Sequence, residues 1–114
     1  MDKYPLLKKL IKKEQKTNEN LRKTTLKKVF ALLDELALKY GFKEAYIFGS
    51  ITQKYMFNLG SDIDIAIDRM SEPRRFFELI TEFEKALKKR VDLYLLEDIK
   101  FLNKNSAILW KKNI

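Results

Sequence analysis

The rhythm of apolar and polar positions changes several times along this chain, and each change marks an element. Leu6, Leu7, Leu10 and Ile11 recur with lysines between them, which predicts an amphipathic helix over 3–16. Thr17-Asn18-Glu19-Asn20 is a polar stretch with capping chemistry, and it predicts a break. A second helix is expected from about Leu21 to Tyr40, with Leu26, Val29, Phe30, Leu33, Leu36 and Ala37 on one stripe and Gly41 ending it. Ala45–Phe48 reads as a short buried strand. Thr52–Phe57 reads as a short helix or an irregular loop, and Asn58-Leu59-Gly60-Ser61 as a turn.

Residues 62–68 alternate strictly, which predicts a strand with Ile63, Ile65 and Ile67 on one face and Asp62 and Asp64 on the other. Ser71, followed by Glu72 and Pro73, predicts the start of a helix to about Lys89, with Phe76, Phe77, Ile80, Phe83 and Leu87 inward. Arg90–Leu96 predicts a third strand, with Val91, Leu93 and Leu95 on one side and Asp92 and Tyr94 on the other. Asp98 is placed to cap a last helix carrying Ile99, Leu102, Ile108, Leu109 and Trp110. Three short strands alternating with helices predict an α/β (α+β) fold, a small sheet flanked by helices. The expected organisation is a basic helical extension over residues 1–20 and one domain over 21–114.

Charge refines this picture through its distribution. The net charge is +8, but residues 1–28 hold ten Lys/Arg against three Asp/Glu, while residues 29–114 hold fourteen against thirteen. The basic N-terminus reads either as an arm for nucleic acid or an acidic partner, or as a solvated helix face. The chain has neither cysteine nor histidine, which excludes structural zinc, disulfides, thiol nucleophiles and Ser-His pairs. Proton transfer then falls to carboxylates, lysine, tyrosine or water. No apolar run approaches the roughly 20 residues of a membrane helix, and no signal-peptide core is visible, so the expectation is a cytoplasmic protein with no membrane partner.

The chemistry concentrates at two places. Two carboxylates sharing a face of a half-buried strand repel each other and resist desolvation, an arrangement that a hard cation such as Mg²⁺ relieves. Upstream, Gly49 lets backbone approach a ligand closely, and Ser50 offers a hydroxyl beside N–H groups that suit an anion. Asp92 adds a third carboxylate to the same face if its strand pairs beside the Asp62–Asp64 strand. Three carboxylates with a phosphate cradle have the composition of a two-metal phosphoryl or nucleotidyl transfer site. A calcium loop is excluded by Ala66 and Ile67, and a P-loop by the missing Gly-Lys-Ser/Thr. Tyr94 reads as packing, with stacking on a nucleobase as the alternative.

Phe48-Gly49-Ser50, eleven residues, then Asp62-Ile63-Asp64 resembles the Gly-Ser…Asp-x-Asp signature of the DNA polymerase β nucleotidyltransferase superfamily. The closer resemblance is to its minimal nucleotidyltransferase (MNT) branch, over roughly residues 26–112. The resemblance implies that Gly49 and Ser50 bind the triphosphate of ATP, and that Asp62, Asp64 and Asp92 bind Mg²⁺ and form the catalytic set. The family's usual arginine and glycine after Gly-Ser are Gln53 and Lys54 here, which removes a bidentate phosphate donor and leaves Lys54 to supply charge. It further implies a partner, because many MNT proteins are antitoxins encoded beside a HEPN protein, an all-helical RNase toxin. Some neutralise it by transferring AMP from ATP to a toxin tyrosine, as a hetero-oligomer. The alternatives are an antitoxin that acts by binding alone, and nucleotidyl transfer to RNA or a small molecule.

Overall fold

The computed structural model describes residues 3–113. Its first element, helix α1 (Pro5–Tyr40), is a single run of 36 residues. The break expected at 17–20 does not occur. Thr17 turns its hydroxyl back onto the Lys13 carbonyl at 3.0 Å, which seats it inside the helix. Glu19 caps nothing. It is buried and held by Arg22, whose Nε and Nη2 each donate to it at 3.0 Å. Thr and Asn inside a helix cost about 0.5 kcal/mol each relative to Ala, too little to end a helix anchored this way. Gly41 does end it, in the left-handed region at φ 82, with its N–H donating to the Ala37 carbonyl at 2.8 Å.

The sheet has four strands, β1 (Glu44–Phe48), β2 (Ile63–Ile67), β3 (Val91–Leu95) and β4 (Ile108–Lys111), in the order β3-β2-β1-β4. β1 is antiparallel to both of its neighbours, and β2 and β3 run parallel. Helix α2 (Phe76–Leu87) makes the parallel crossover. It starts at Phe76, after a 3₁₀ turn at Pro73–Arg75, rather than at a Ser71 cap. Ser71 instead donates its N–H to the Tyr40 carbonyl at 2.9 Å, closing the end of α1. The helix stops at Leu87, because Lys88 takes a left-handed φ of 54. Phe77, expected inward, is 78% exposed, while Leu79 and Phe83 are fully buried. Phe77 lies one residue, about 100°, off the stripe that Phe76, Leu79, Phe83 and Leu87 share.

β4 replaces the expected last helix. Ile108 and Trp110 alternate with Leu109 and Lys111, a period of two that pairs with β1 as Ala45↔Trp110 and Tyr46↔Leu109. Trp110 is buried, meets Phe42 edge-on at 5.7 Å, and donates its ring N–H to Asp34 of α1 at 2.9 Å. Asn103 closes a turn just before the strand through Asn105 and Ser106. Apolar energy therefore comes from an edge position in the sheet, which a helical reading of Ile108-Leu109-Trp110 does not capture.

One face of the sheet carries Ala45, Ile47, Ile63, Ile65, Ile67, Val91 and Leu93 into a single core with Val29, Leu33, Leu36, Leu79 and Phe83 of the helices. The opposite face carries Tyr46, Phe48, Asp64, Asp92 and Tyr94, all half-buried. No helix among the described residues is long and apolar enough to cross a membrane.

Candidate active site

The parallel register of β2 and β3 sets Asp64 directly beside Asp92 on the open face. Parallel neighbours lie about 4.8 Å apart, so the two carboxyls meet. The Asp64 carboxyl is pushed up from its ordinary value by burial first, then by the charges of Asp92 and Asp62 and by a hydrogen bond with Asp92. Asp62 lies one residue ahead of β2, exposed at the rim of this pair.

Gly49 follows β1 and takes φ 83 with ψ −157. A Cβ built at this position would overlap the Asp64 carboxylate oxygen Oδ2. Glycine is therefore required twice over, by backbone conformation and by the approach of a carboxylate. Phe48 is opposite Asp64 in the antiparallel register, so the Gly49-Ser50 turn and Asp64 are held by the same strand pair. Ser50 opens a 3₁₀ turn over Ser50–Thr52, tightened by the Thr52 hydroxyl on the Gly49 carbonyl at 2.8 Å. Of the span Thr52–Phe57, expected as a short helix or an irregular loop, only Thr52 is in the 3₁₀ turn, and the rest is irregular chain with Tyr55 at φ 67.

Two cations missed in the sequence reading border the carboxylates. Arg90 Nε lies 3.3 Å from Asp92 Oδ1. Lys89 donates its ammonium to the Leu59 carbonyl at 2.7 Å and to Asn58 at 3.3 Å. Burial holds the Lys89 ammonium below the usual lysine range, and the charge of Asp62 opposes that shift. The signal for both was the basic run Lys88-Lys89-Arg90 immediately before Val91-Asp92. A parallel neighbour of β2 brings that run to the end of the sheet where Asp62 lies.

Three rings complete the face. Phe48 packs against Tyr94 at 5.8 Å and Phe101 at 6.3 Å, and Tyr94 meets Phe101 edge-on at 6.0 Å. Tyr94 is thus a packing residue, and it joins Phe48, which is opposite Asp64, to the Asp92 strand. Phe101, 70% exposed, comes from the segment that leads into β4, so its place was invisible while that segment read as helix.

Lys54 lies elsewhere. Its ammonium stacks over the Tyr55 ring at 5.4 Å and lines a groove with Lys12, Lys16 and Lys23 of α1. The loop that carries it is clamped to α1. Arg22 donates to the Ile51 carbonyl at 3.2 Å, and Glu19 accepts the Tyr55 N–H at 2.6 Å. Arg22 and Tyr55 together hold the Glu19 carboxyl down at about 2.

The donor chemistry of Asp62, Asp64 and Asp92 fits a hard divalent cation, being all oxygen and crowded with like charge. Among the described residues, however, no group of three or more acidic side chains is gathered closely enough to hold a metal ion. Asp64 and Asp92 form a pair, Asp62 is exposed ahead of the strand, and Arg90 draws on Asp92. Asp64 and Asp92 are thus brought side by side, with Asp62 near enough for its charge to act on Asp64.

Residues 25–114 match the family model described as Polymerase beta, Nucleotidyltransferase. No curated protein and no solved structure matches the chain. The C-terminal part of α1, the Gly-Ser turn and the paired aspartate strands fall within the matched span, and the chain belongs to the polymerase β nucleotidyltransferase family.

Proposed function

We propose that this protein is a Mg²⁺-dependent nucleotidyltransferase that moves AMP from ATP to a hydroxyl of a protein partner, a HEPN toxin, and so acts as an antitoxin in the cytoplasm. The observation that carries the reading is Asp64 in register with Asp92 on an open face, with Gly49 packed against Asp64. In this reading Gly49 and Ser50 hold the β- and γ-phosphates, and Asp62, Asp64 and Asp92 hold the metal. Bound Mg²⁺ supplies neutralisation of the triphosphate and of the charge that develops during transfer. Asp92 takes the acceptor proton. The acceptor oxygen forms a bond to the α-phosphorus, and the bond from that phosphorus to the bridging oxygen breaks, releasing pyrophosphate. The exposed ring of Phe101, packed edge-on against Phe48 and Tyr94, offers an apolar surface for the base.

The test is transfer of label from α-labelled ATP with Mg²⁺ to the HEPN protein. Label on the partner that disappears in Asp62→Asn and Asp64→Asn supports the reading. No label, with both variants neutralising the toxin as wild type does, sinks it.

A second reading is an antitoxin that neutralises by binding, with a silent site. Lys54 packed toward α1 and Gln53 in place of the usual arginine favour it. Full protection by the Asp62→Asn/Asp64→Asn double variant would select it.

A further inference from the structure

α1 is longer than the body it packs on. At 1.5 Å per residue, its 36 residues span about 54 Å. The whole molecule measures 61 × 27 × 25 Å, and residues 3–17 are all exposed. The core-facing stripe of α1 runs through Tyr40, Leu36, Leu33, Val29 and Leu26 to Arg22. Continued toward the N-terminus by threes and fours, it reaches Gln15, Ile11, Leu7 and Tyr4. The same face that builds the core thus overhangs the body with Ile11, Leu7 and Tyr4 at 47%, 53% and 59% exposure.

The overhang is one wall of a notch. The end of the body, with Lys54 and Tyr55, is the other. Along Tyr4, Leu7, Lys8, Ile11, Lys12 and Gln15 the overhang alone forms an open hollow of about 440 Å³. It runs into a second of about 540 Å³ lined by Lys12, Lys16, Lys23 and Lys54, the two sharing Lys12 and Gln15. Glu19, the one acid among the described lining residues, is already engaged by Arg22.

We propose that this notch docks a protein partner that presents a helix with an apolar stripe and acidic flanks. The apolar stripe calls for an apolar counterpart. The lysines call for carboxylates beside it. A second copy fits poorly, because pairing two notches sets lysine against lysine in a chain of net charge +8. A flat anionic bilayer fits poorly too, because the stripe lies on the side of α1 from which the body projects. Nucleic acid would satisfy the lysines and leave Leu7 and Ile11 uncovered. A helix seated in the notch abuts the loop that begins at Gly49-Ser50. The inference specifies the docking surface for the partner in the proposed function, and it rests on that partner but not on the transfer chemistry.

The probe is a synthetic four-heptad peptide with leucine at its core positions and glutamate on its flanks, titrated against the full chain by fluorescence anisotropy. Saturable binding is expected. It should weaken about tenfold or more in the Leu7→Glu/Ile11→Glu variant, which keeps the wild-type melting temperature because both side chains are exposed. A peptide of equal charge with its leucines replaced by serine should bind about tenfold more weakly or worse. Equal binding of the serine peptide, or no binding of the leucine peptide, overturns the proposal. A wild-type dimer lost in the variant overturns it in favour of a second copy. Binding to phosphatidylserine vesicles in preference to the peptide overturns it in favour of a bilayer. Peptide binding without nucleotidyl transfer would leave the notch standing and sink only the chemistry, whereas transfer to a HEPN partner that survives Leu7→Glu/Ile11→Glu would do the reverse.

Discussion

Asp64 and Asp92 sit side by side across the parallel β2–β3 ladder, and burial together with the neighbouring carboxylates pushes the Asp64 carboxyl up from its ordinary value. A raised carboxyl favours the fold while it is protonated, and that contribution is lost as pH rises through its folded pKa. At neutral pH without divalent ions, Asp64→Asn should therefore melt above wild type, and the gap should close in acid. Mg²⁺ at a hundred times its dissociation constant should stabilise wild type by about 2.7 kcal/mol and the variant far less. Thermal melts at pH 4 and pH 7.5, each with and without Mg²⁺, check both signs. A variant stabilised by Mg²⁺ as much as wild type would remove Asp64 from the metal set.

Gly49→Ala tests the turn beside that pair. The substitution must accept φ 83 and a Cβ that overlaps Asp64 Oδ2. A strained non-glycine conformation costs about 1–3 kcal/mol, so a lower melting midpoint is expected together with loss of nucleotide binding. Gly60→Ala is the control, since its Cβ would meet only Asn58 Oδ1, at 3.4 Å. Equal behaviour of the two variants in urea melts and nucleotide titrations would dismiss the close approach as a constraint.

Asp62, Asp64 and Gly49 were legible in the sequence because their pattern is local, whereas the meeting of Asp64 with Asp92 depends on the β2–β3 register. Alternation over 62–68 fixes which side chains share a face, and the eleven-residue spacing fixes the motif. What the sequence hid depends on partners far along the chain. The stretch Thr17-Asn18-Glu19-Asn20 reads as a break because the role of Glu19 needs Arg22 and the N–H of Tyr55, 36 residues away. Trp110 looked helical because its strand exists only against β1, and its ring N–H reaches an aspartate 76 residues earlier. Lys89 and Phe101 join the site only once the order β3-β2-β1-β4 is known. Phe77 shows the limit of composition, being an apolar residue that helical phase places outside.

The Glu19 clamp makes acid stability a measurable property. Its carboxyl, held at about 2 against an ordinary 4.5, stabilises the fold above pH 4.5, and that stability is lost as pH falls toward 2. Glu19→Gln should lower the melting temperature at neutral pH and flatten the decline between those values. It should also free the loop around Ile51 and Tyr55, raising the KM for nucleotide more than it lowers kcat. A Glu19→Gln protein with an unaltered acid profile would show that the clamp contributes nothing in solution.

Trp110 is the only tryptophan of the chain, so its fluorescence reports on β4 directly. The side chain is 5% exposed, packs on Phe42 and donates to Asp34, tying the edge strand to α1. Trp110→Ala should cost about 3–5 kcal/mol through lost burial and the cavity left behind. Trp110→Phe keeps most of the apolar contact and loses the N–H donor, and because Asp34 is exposed enough to be solvated, the cost should stay near 1 kcal/mol. If 108–111 formed a helix apart from β1, both substitutions would be nearly neutral and the tryptophan emission would be that of a solvated ring before unfolding. Chemical denaturation followed by circular dichroism for the variants, and by fluorescence for wild type, separates the two outcomes.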